Sequence, residues 1–301
     1  MWYVEDNRGY ITASKIKLFM KSKEAYKKVY VDEVDTSFLK ESKSLENGTI
    51  VDSYILTPEQ FRLDYAILEG TKKDDLIRQC LEQNIPVEKS DKVDDLKAKL
   101  VGNKQVLTDW EVDMVKGIEA ELKRQPLFDF FGKTENQKEI IVEYKGLKLK
   151  AKMDRLDLAN KKIRDLKTSK DIEFSKFLNC SKMESELINN DEYQYGFQLA
   201  FYALLCKVQY GEWFDGILDC VKTSGNYAYE AYFYRKETLM QIANSILFPA
   251  LEELLECEKS GNYAESEELK ERGEILNERY YPILDSALQK DFRLIEPAFI
   301  Y

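Results

Sequence analysis

Apolar and polar residues alternate in a strand-like way on either side of a short link, over 150–157 and 161–169, and strand-like stretches cover 138–144, 147–157 and 161–167. Each predicts a β-strand. The last two are joined by Leu158-Ala-Asn-Lys-Lys162, a short, turn-like link. An amphipathic helical pattern covers 191–210. Two further strand-like runs, Trp213–Thr223 and Asn226–Arg235, flank a Ser224-Gly225 turn. Stretches rich in Glu and Leu, 236–257 and 262–290, predict helices. Ahead of the strands, 10–30 predicts a helix opened by Thr12 or Ser14, with Ile16, Leu18, Phe19 and Tyr26 among lysines. Residues 45–57 predict a more apolar helix, followed by Pro58. Residues 108–124 predict a helix capped by Thr108 or Asp109 and ending before Pro126. The core order is helix, three strands, helix, two strands, then helices, which predicts a mixed α/β (α+β) domain.

Residues 71–102 break this pattern. Lys73-Asp-Asp-Leu76 recurs twenty residues later as Val93-Asp-Asp-Leu96, with Thr71 and Ser90 as candidate N-caps. The extended Asn84-Ile-Pro-Val87 lies between the two short helices. The unit resembles the helix–extended–helix modules of the SAP type, some of which bind DNA. A helical hairpin used as scaffold or partner surface fits the pattern as well. The expected division is therefore 1–70, an N-terminal helical part; 71–102, a small insertion; and 103–301, the core with its C-terminal helices.

Composition narrows the chemistry. The chain has 301 residues, 44% hydrophobic and 33% charged, and suits one large domain or a domain with an inserted module. It has no apolar run long enough to span a membrane, and Met1-Trp-Tyr-Val-Glu-Asp-Asn-Arg does not read as a secretory signal. The five cysteines, at 80, 180, 206, 220 and 257, are scattered without a Cys-x-x-Cys pair. They read as reduced thiols of a cytoplasmic protein rather than a zinc site or iron–sulfur cluster. There is no histidine, which removes the usual general base and zinc ligand. Catalysis would rest on carboxylates, lysine, tyrosine or metal-bound water. The net charge of −10 advertises no global affinity for nucleic acid, although lysines can cluster locally.

Asp154 ends one alternating run, and Asp165-Leu-Lys167 sits inside the next. A hairpin would set Asp154 near Asp165, with Lys167 on the same face as Asp165. Two carboxylates there suit a hard divalent cation, and burying Asp165 and Lys167 is costly unless they are paired or metal-bound. A structural ion-pair cluster is the rival reading of the same residues.

These residues carry a resemblance. Asp154-Arg-Leu-Asp157 is similar to motif II of the PD-(D/E)xK nuclease superfamily, and Ile163-Arg-Asp165-Leu-Lys167-Thr168 to motif III, with Leu166 in place of the common aromatic. Tyr195-Gly-Phe-Gln198-Leu-Ala-Phe-Tyr202 is similar to the Gln-x-x-x-Tyr helix that follows. Within that superfamily the arrangement looks like the RecB-like and phage RecE-like exonucleases, and Ile11-Thr-Ala-Ser14, Gly48-Thr-Ile-Val-Asp52 and Leu56-Thr-Pro-Glu-Gln-Phe61 resemble the N-terminal RecE-like pattern, with Asp52 where many relatives carry histidine.

The resemblance implies a restriction-endonuclease-like core, a mixed central sheet flanked by helices. It implies a Mg2+- or Mn2+-dependent exonuclease acting on linear duplex DNA in phage or prophage recombination. Asp154, Asp165, the Leu166 carbonyl and Asp52 would hold metal, with Glu119 or Glu121 as the alternative to Asp52. Asp154, Asp165 and Lys167 would be catalytic, Gln198 and Tyr202 would support them, and Arg155 and Lys170 would meet DNA phosphates. Relatives often form homo-oligomeric rings and work with a single-strand annealing protein. The rivals are an inactive DNA-binding protein of the same fold, an endonuclease, and the CRISPR-adaptation branch, whose four-cysteine cluster this spacing does not match.

Overall fold

The computed structural model describes residues 8–33, 43–125, 135–173, 195–264 and 296–297. The chain divides into two compact units: Met1–Lys40, Lys133–Cys220 and Glu230–Tyr301 form the first, and Glu41–Gly132 with Val221–Tyr229 the second.

The first unit opens with helix α1 (Ala13–Lys21), whose N-cap Thr12 accepts a hydrogen bond from the Lys15 N–H at 3.4 Å. The single helix expected over 10–30 is broken at Ser22, which is extended (φ −159°). Short helical turns follow at Lys23–Tyr26 and Lys27–Val31. The break has a packing reason. Residues 19 and 26 of a continuous helix would be separated by about 10 Å of axial rise. Here the Phe19 and Tyr26 rings meet edge to face with centroids 5.4 Å apart.

Strands β1 (Glu135–Tyr144) and β2 (Leu147–Asp157) form a hairpin through Lys145-Gly146. Both turn residues have positive φ, 51° and 89°. This is the two-residue turn whose twist matches that of paired strands. β3 (Lys162–Ser169) runs antiparallel to β2. Helix α2 (Tyr195–Tyr210) comes next in the described chain, and then β4 (Asp215–Lys222) lies beside β3. The Asp215 N–H bonds the Lys161 carbonyl at 3.0 Å and Arg164 pairs with Asp219, so numbering rises together and the two strands are parallel. A parallel neighbour needs a long crossover, and α2 supplies it. β5 (Tyr229–Tyr234) returns antiparallel, with the Lys222 N–H bonded to the Ala228 carbonyl at 3.0 Å. The result is a mixed five-strand sheet in the order β1-β2-β3-β4-β5, with Glu296–Pro297 pairing at the β5 edge.

The amphipathic expectation for α2 is corrected. Phe197, Leu199–Cys206 and Gly196 are all buried, so the helix is apolar on nearly every side, as a core helix is. It lies close to β4: a Cβ on Gly216 would meet Leu199 Cδ1 at 3.0 Å and Leu239 Cδ1 at 3.2 Å. Helices α3 (Lys236–Ile242) and α4 (Phe248–Ser260) follow, joined by one wider turn at Ala243–Leu247. Gly261, with φ 68°, ends α4. Of the helix expected over 262–290, residues 262–264 are irregular and the rest lies outside the described residues.

The second unit holds helices Lys43–Leu56, Pro58–Asp64, Lys73–Glu82, Val93–Val101 and Asp109–Arg124. Pro58 does more than stop a helix: it opens the next one at its first turn, where its missing N–H costs nothing. Thr108 is the N-cap of the last helix, in a reciprocal capping box with Glu111. The helix–extended–helix segment has a small core of Leu76, Cys80 and Leu96, covered by Ile77, Ile85, Val87 and Val93. Its helices are preceded by Lys72 and Lys92 rather than by Thr71 and Ser90. The first-turn carboxylate of Asp95 takes the capping role by accepting from the Lys92 N–H at 2.8 Å. Tyr65–Ala66 pairs in parallel with Gln105–Val106, bringing the entry and exit of this segment together.

Candidate active site

The hairpin register sets the geometry. Asp157 pairs with Lys162, Leu156 with Ile163 and Arg155 with Arg164. The next pair in this register is Asp154 with Asp165, and there the described backbone pairing stops. The Asp154 side chain replaces it: Oδ2 accepts the Leu166 N–H at 2.8 Å. The two carboxylates thus stand where the strands part. Asp157 does a different job, holding the turn by accepting from the Asn160 backbone at 2.9 Å and side chain at 2.8 Å.

Asp165 is only 2% exposed. Lys167, two residues on and therefore on the same face, forms an ion pair with Asp165 Oδ2. Its ammonium also lies 5.5 Å from the centroid of the Tyr195 ring. From α2, Gln198 Nε2 donates to Tyr202 Oη at 2.7 Å and reaches Asp165 Oδ1 at 3.3 Å.

Crowding two carboxylates in a dry site has the expected electrostatic effect. Burial, and then the negative charge of Asp165, push the Asp154 carboxyl up to about 7, against the pull of Lys167 and of the hydrogen bonds from Leu166 and Gln137. Burial works to neutralise Lys167, but Asp165 and Asp154 outweigh it and hold the ammonium well above its ordinary value. Burial, followed by Asp165, raises Tyr202, so its phenol stays protonated.

The donor set fits a hard divalent cation. It consists of carboxylate oxygens, and a cation between the two would offset both the burial and the neighbouring Asp165 charge that raise the Asp154 carboxyl. Among the described residues, no three or more His, Cys, Asp or Glu side chains cluster as metal ligands.

The remaining expected residues fall in several places. Lys170 is exposed. Arg155 is not available to DNA: it is 2% exposed and, next to Asp154 in the strand, faces the other side of the sheet. Its place in the phosphate-contacting set is withdrawn for that reason. Asp52, Glu119 and Glu121 belong to the second unit. Asp52 is half-buried on the 43–56 helix. Glu119 accepts from Tyr54 Oη at 3.1 Å and Lys123 at 2.6 Å, and Glu121 from Gln125 at 2.6 Å and Arg124 at 3.2 Å.

Two features escaped the sequence reading. Gln137 Nε2 donates to Asp154 Oδ1 at 3.1 Å. It precedes the first expected strand, and only the observed register sets it opposite Asp154. Arg164 grips Asp219 through two hydrogen bonds, 2.8 and 2.5 Å, with Asp219 only 1% exposed. The signal for that pair was present in the sequence, as a lone aspartate in the apolar run Ile217-Leu-Asp219-Cys-Val221.

A mixed sheet flanked by helices, with two aspartates and a lysine where its central hairpin parts, defines a PD-(D/E)xK-like domain. The model of the family described as "PDDEXK-like domain of unknown function (DUF3799)" matches residues 12–270, and the chain belongs to that family. No curated protein matches. Among solved structures, the chain is similar to a crystal structure described as "Putative exonuclease" from Eubacterium rectale, with 16% identity, 83% of each chain covered and a TM-score of 0.49. No helix among the described residues is long and apolar enough to cross a membrane.

Proposed function

We propose that this protein hydrolyses phosphodiester bonds of DNA, as a Mg2+- or Mn2+-dependent exonuclease acting on linear duplex ends. The observation that carries the reading is the meeting of Asp154, Asp165 and the Asp165-paired Lys167 where β2 and β3 part. Asp154, Asp165 and the Leu166 carbonyl would hold the metal, which when bound supplies a polarised phosphate and a water of lowered pKa.

The protein's own groups do the rest. Lys167, kept protonated by its carboxylate neighbours, offsets the charge that builds on the phosphate oxygens in the transition state. Gln198 steadies Asp165 from α2 and orients the Tyr202 hydroxyl. Lys170, exposed just beyond β3, meets a backbone phosphate. The preference for ends, a role in phage recombination, ring assembly and an annealing partner rest on the resemblance to RecE-like exonucleases. The trio is complete, as an enzyme requires and a bare DNA-binding relative does not.

The test is digestion of linear, 5′-phosphorylated duplex DNA beside a closed circle, with Mg2+ or Mn2+. Loss of linear DNA alone, abolished by EDTA and by Lys167→Ala, is the expected result. Cutting of the circle would make the protein an endonuclease. DNA binding without cleavage under either metal would overturn the enzymatic reading.

A further inference from the structure

The β1–β2 ladder is regular except at one residue. Asn136 pairs with Arg155 and Lys138 with Met153, yet Gln137, which lies opposite Asp154, does not pair. Its backbone is left-handed, with φ 52°, a strained conformation for a residue with a side chain. The irregularity is one residue long and falls beside a candidate catalytic carboxylate. A regular β1 residue would stand alongside Asp154 with its side chain pointing out of the sheet. A chain as long as glutamine would then extend past the shorter aspartate. The left-handed turn brings the amide to Asp154 Oδ1 instead, at 3.1 Å.

From this we infer that Gln137 is the positioning residue of Asp154, and that the strain in β1 is retained for that purpose. The inference deepens the metal-site reading above and rests on it. Asp154 then has one fixed donor on each oxygen, the Gln137 amide on Oδ1 and the Leu166 N–H on Oδ2. A carboxylate held this way cannot rotate, and each oxygen keeps lone-pair capacity for a cation. Outer partners of this kind orient metal ligands, and losing one costs roughly 10- to 100-fold in metal affinity.

The full-length protein is titrated with Mn2+ alone, following the free-ion signal by electron paramagnetic resonance, in parallel with thermal melts without metal. Gln137→Met keeps the length of the side chain and removes its donor. Gln137→Gly removes donor and strain together. The expected result is Mn2+ binding at least ~10-fold weaker in both variants, with a lowered melting temperature in Gln137→Met, where Asp154 Oδ1 loses its donor and the strain stays, and a higher one in Gln137→Gly than in Gln137→Met. Recovery of stability in the glycine variant without recovery of affinity is the signature of strain kept for a function. Wild-type affinity in both variants would reduce Gln137 to a strand irregularity and overturn the inference, leaving the metal site standing. Absence of Mn2+ binding by the wild type would instead remove the metal reading itself, and this role with it.

Discussion

Asp154 is held in an environment that disfavours its working charge. Its carboxyl titrates near 7, far above an ordinary aspartate near 3.9. Between those values the native state carries a proton that the unfolded chain has lost. Stability therefore falls as pH rises from about 4 to about 7, and levels off above the folded value. Asp154→Asn should remove this slope. The new amide can be accommodated: its oxygen accepts the Leu166 N–H, and its NH2 donates to a Gln137 side chain turned over to present its oxygen. In EDTA at pH 8, Asp154→Asn should melt about 2–4 °C higher than wild type, the shift a gain of roughly 1 kcal/mol gives in a chain of this size. The wild-type decline between pH 4 and 7 should be absent from the variant, and so should DNA cleavage. Calorimetric melts across pH would check it. An equal slope in both proteins would mean that Asp154 is not the proton-holding group.

At the scale of elements, the β2–β3 hairpin was legible because a period of two survives in a strand with one buried face, whereas β4, buried along Gly216–Val221, shows as a nearly continuous apolar run. The Asp154, Asp165 and Lys167 constellation was legible for the same reason, since alternation fixes which residues share a face. Long-range contacts set what was not legible. The break at Ser22 exists so that Tyr26 can reach Phe19, and nothing in the local pattern encodes it. Gln137 gained its place only through the register with β2. Gly117 is a similar case on the 109–124 helix. A glycine there costs about 1 kcal/mol of helix propensity relative to alanine, yet a Cβ would lie 2.1 Å from Cε2 of Tyr227, at the β4–β5 hairpin tip. Overpacking of this kind costs about 1–3 kcal/mol, so the clash should outweigh the propensity. Gly117→Ala should destabilise the wild type by a net ~1 kcal/mol and stabilise the Tyr227→Ala background by a similar amount. Urea denaturation of the four proteins in this cycle reads the change of sign directly.

The whole molecule is assembled discontinuously, since the chain leaves the first unit at residue 40, returns at 133, and contributes 221–229 to the second. A sequence read in order favours contiguous blocks, such as the expected 71–102 insertion, and this discontinuous division is not among them. The module's self-sufficiency can be tested. Its buried centre is its own, and its ends are joined by the Tyr65–Ala66 and Gln105–Val106 pairing, with the Leu107 N–H bonded to the Ala66 carbonyl at 3.0 Å. Paired strands lie about 4.8 Å apart, so a flexible Gly-Ser linker of about five residues, reaching ~12 Å on average, can replace residues 68–104. Leu68 is removed with the module because it packs on that core. The shortened protein should fold cooperatively and melt within ~4 °C of wild type, a shift of about 1–2 kcal/mol for a chain of this length. Its cleavage of linear duplex at saturating DNA should persist and still depend on Lys167, because Asp154, Asp165 and Lys167 all belong to the first unit. Loss of cleavage with an intact melt would instead place a part of the active machinery in the module, and a collapsed melt would make it part of the second unit's core.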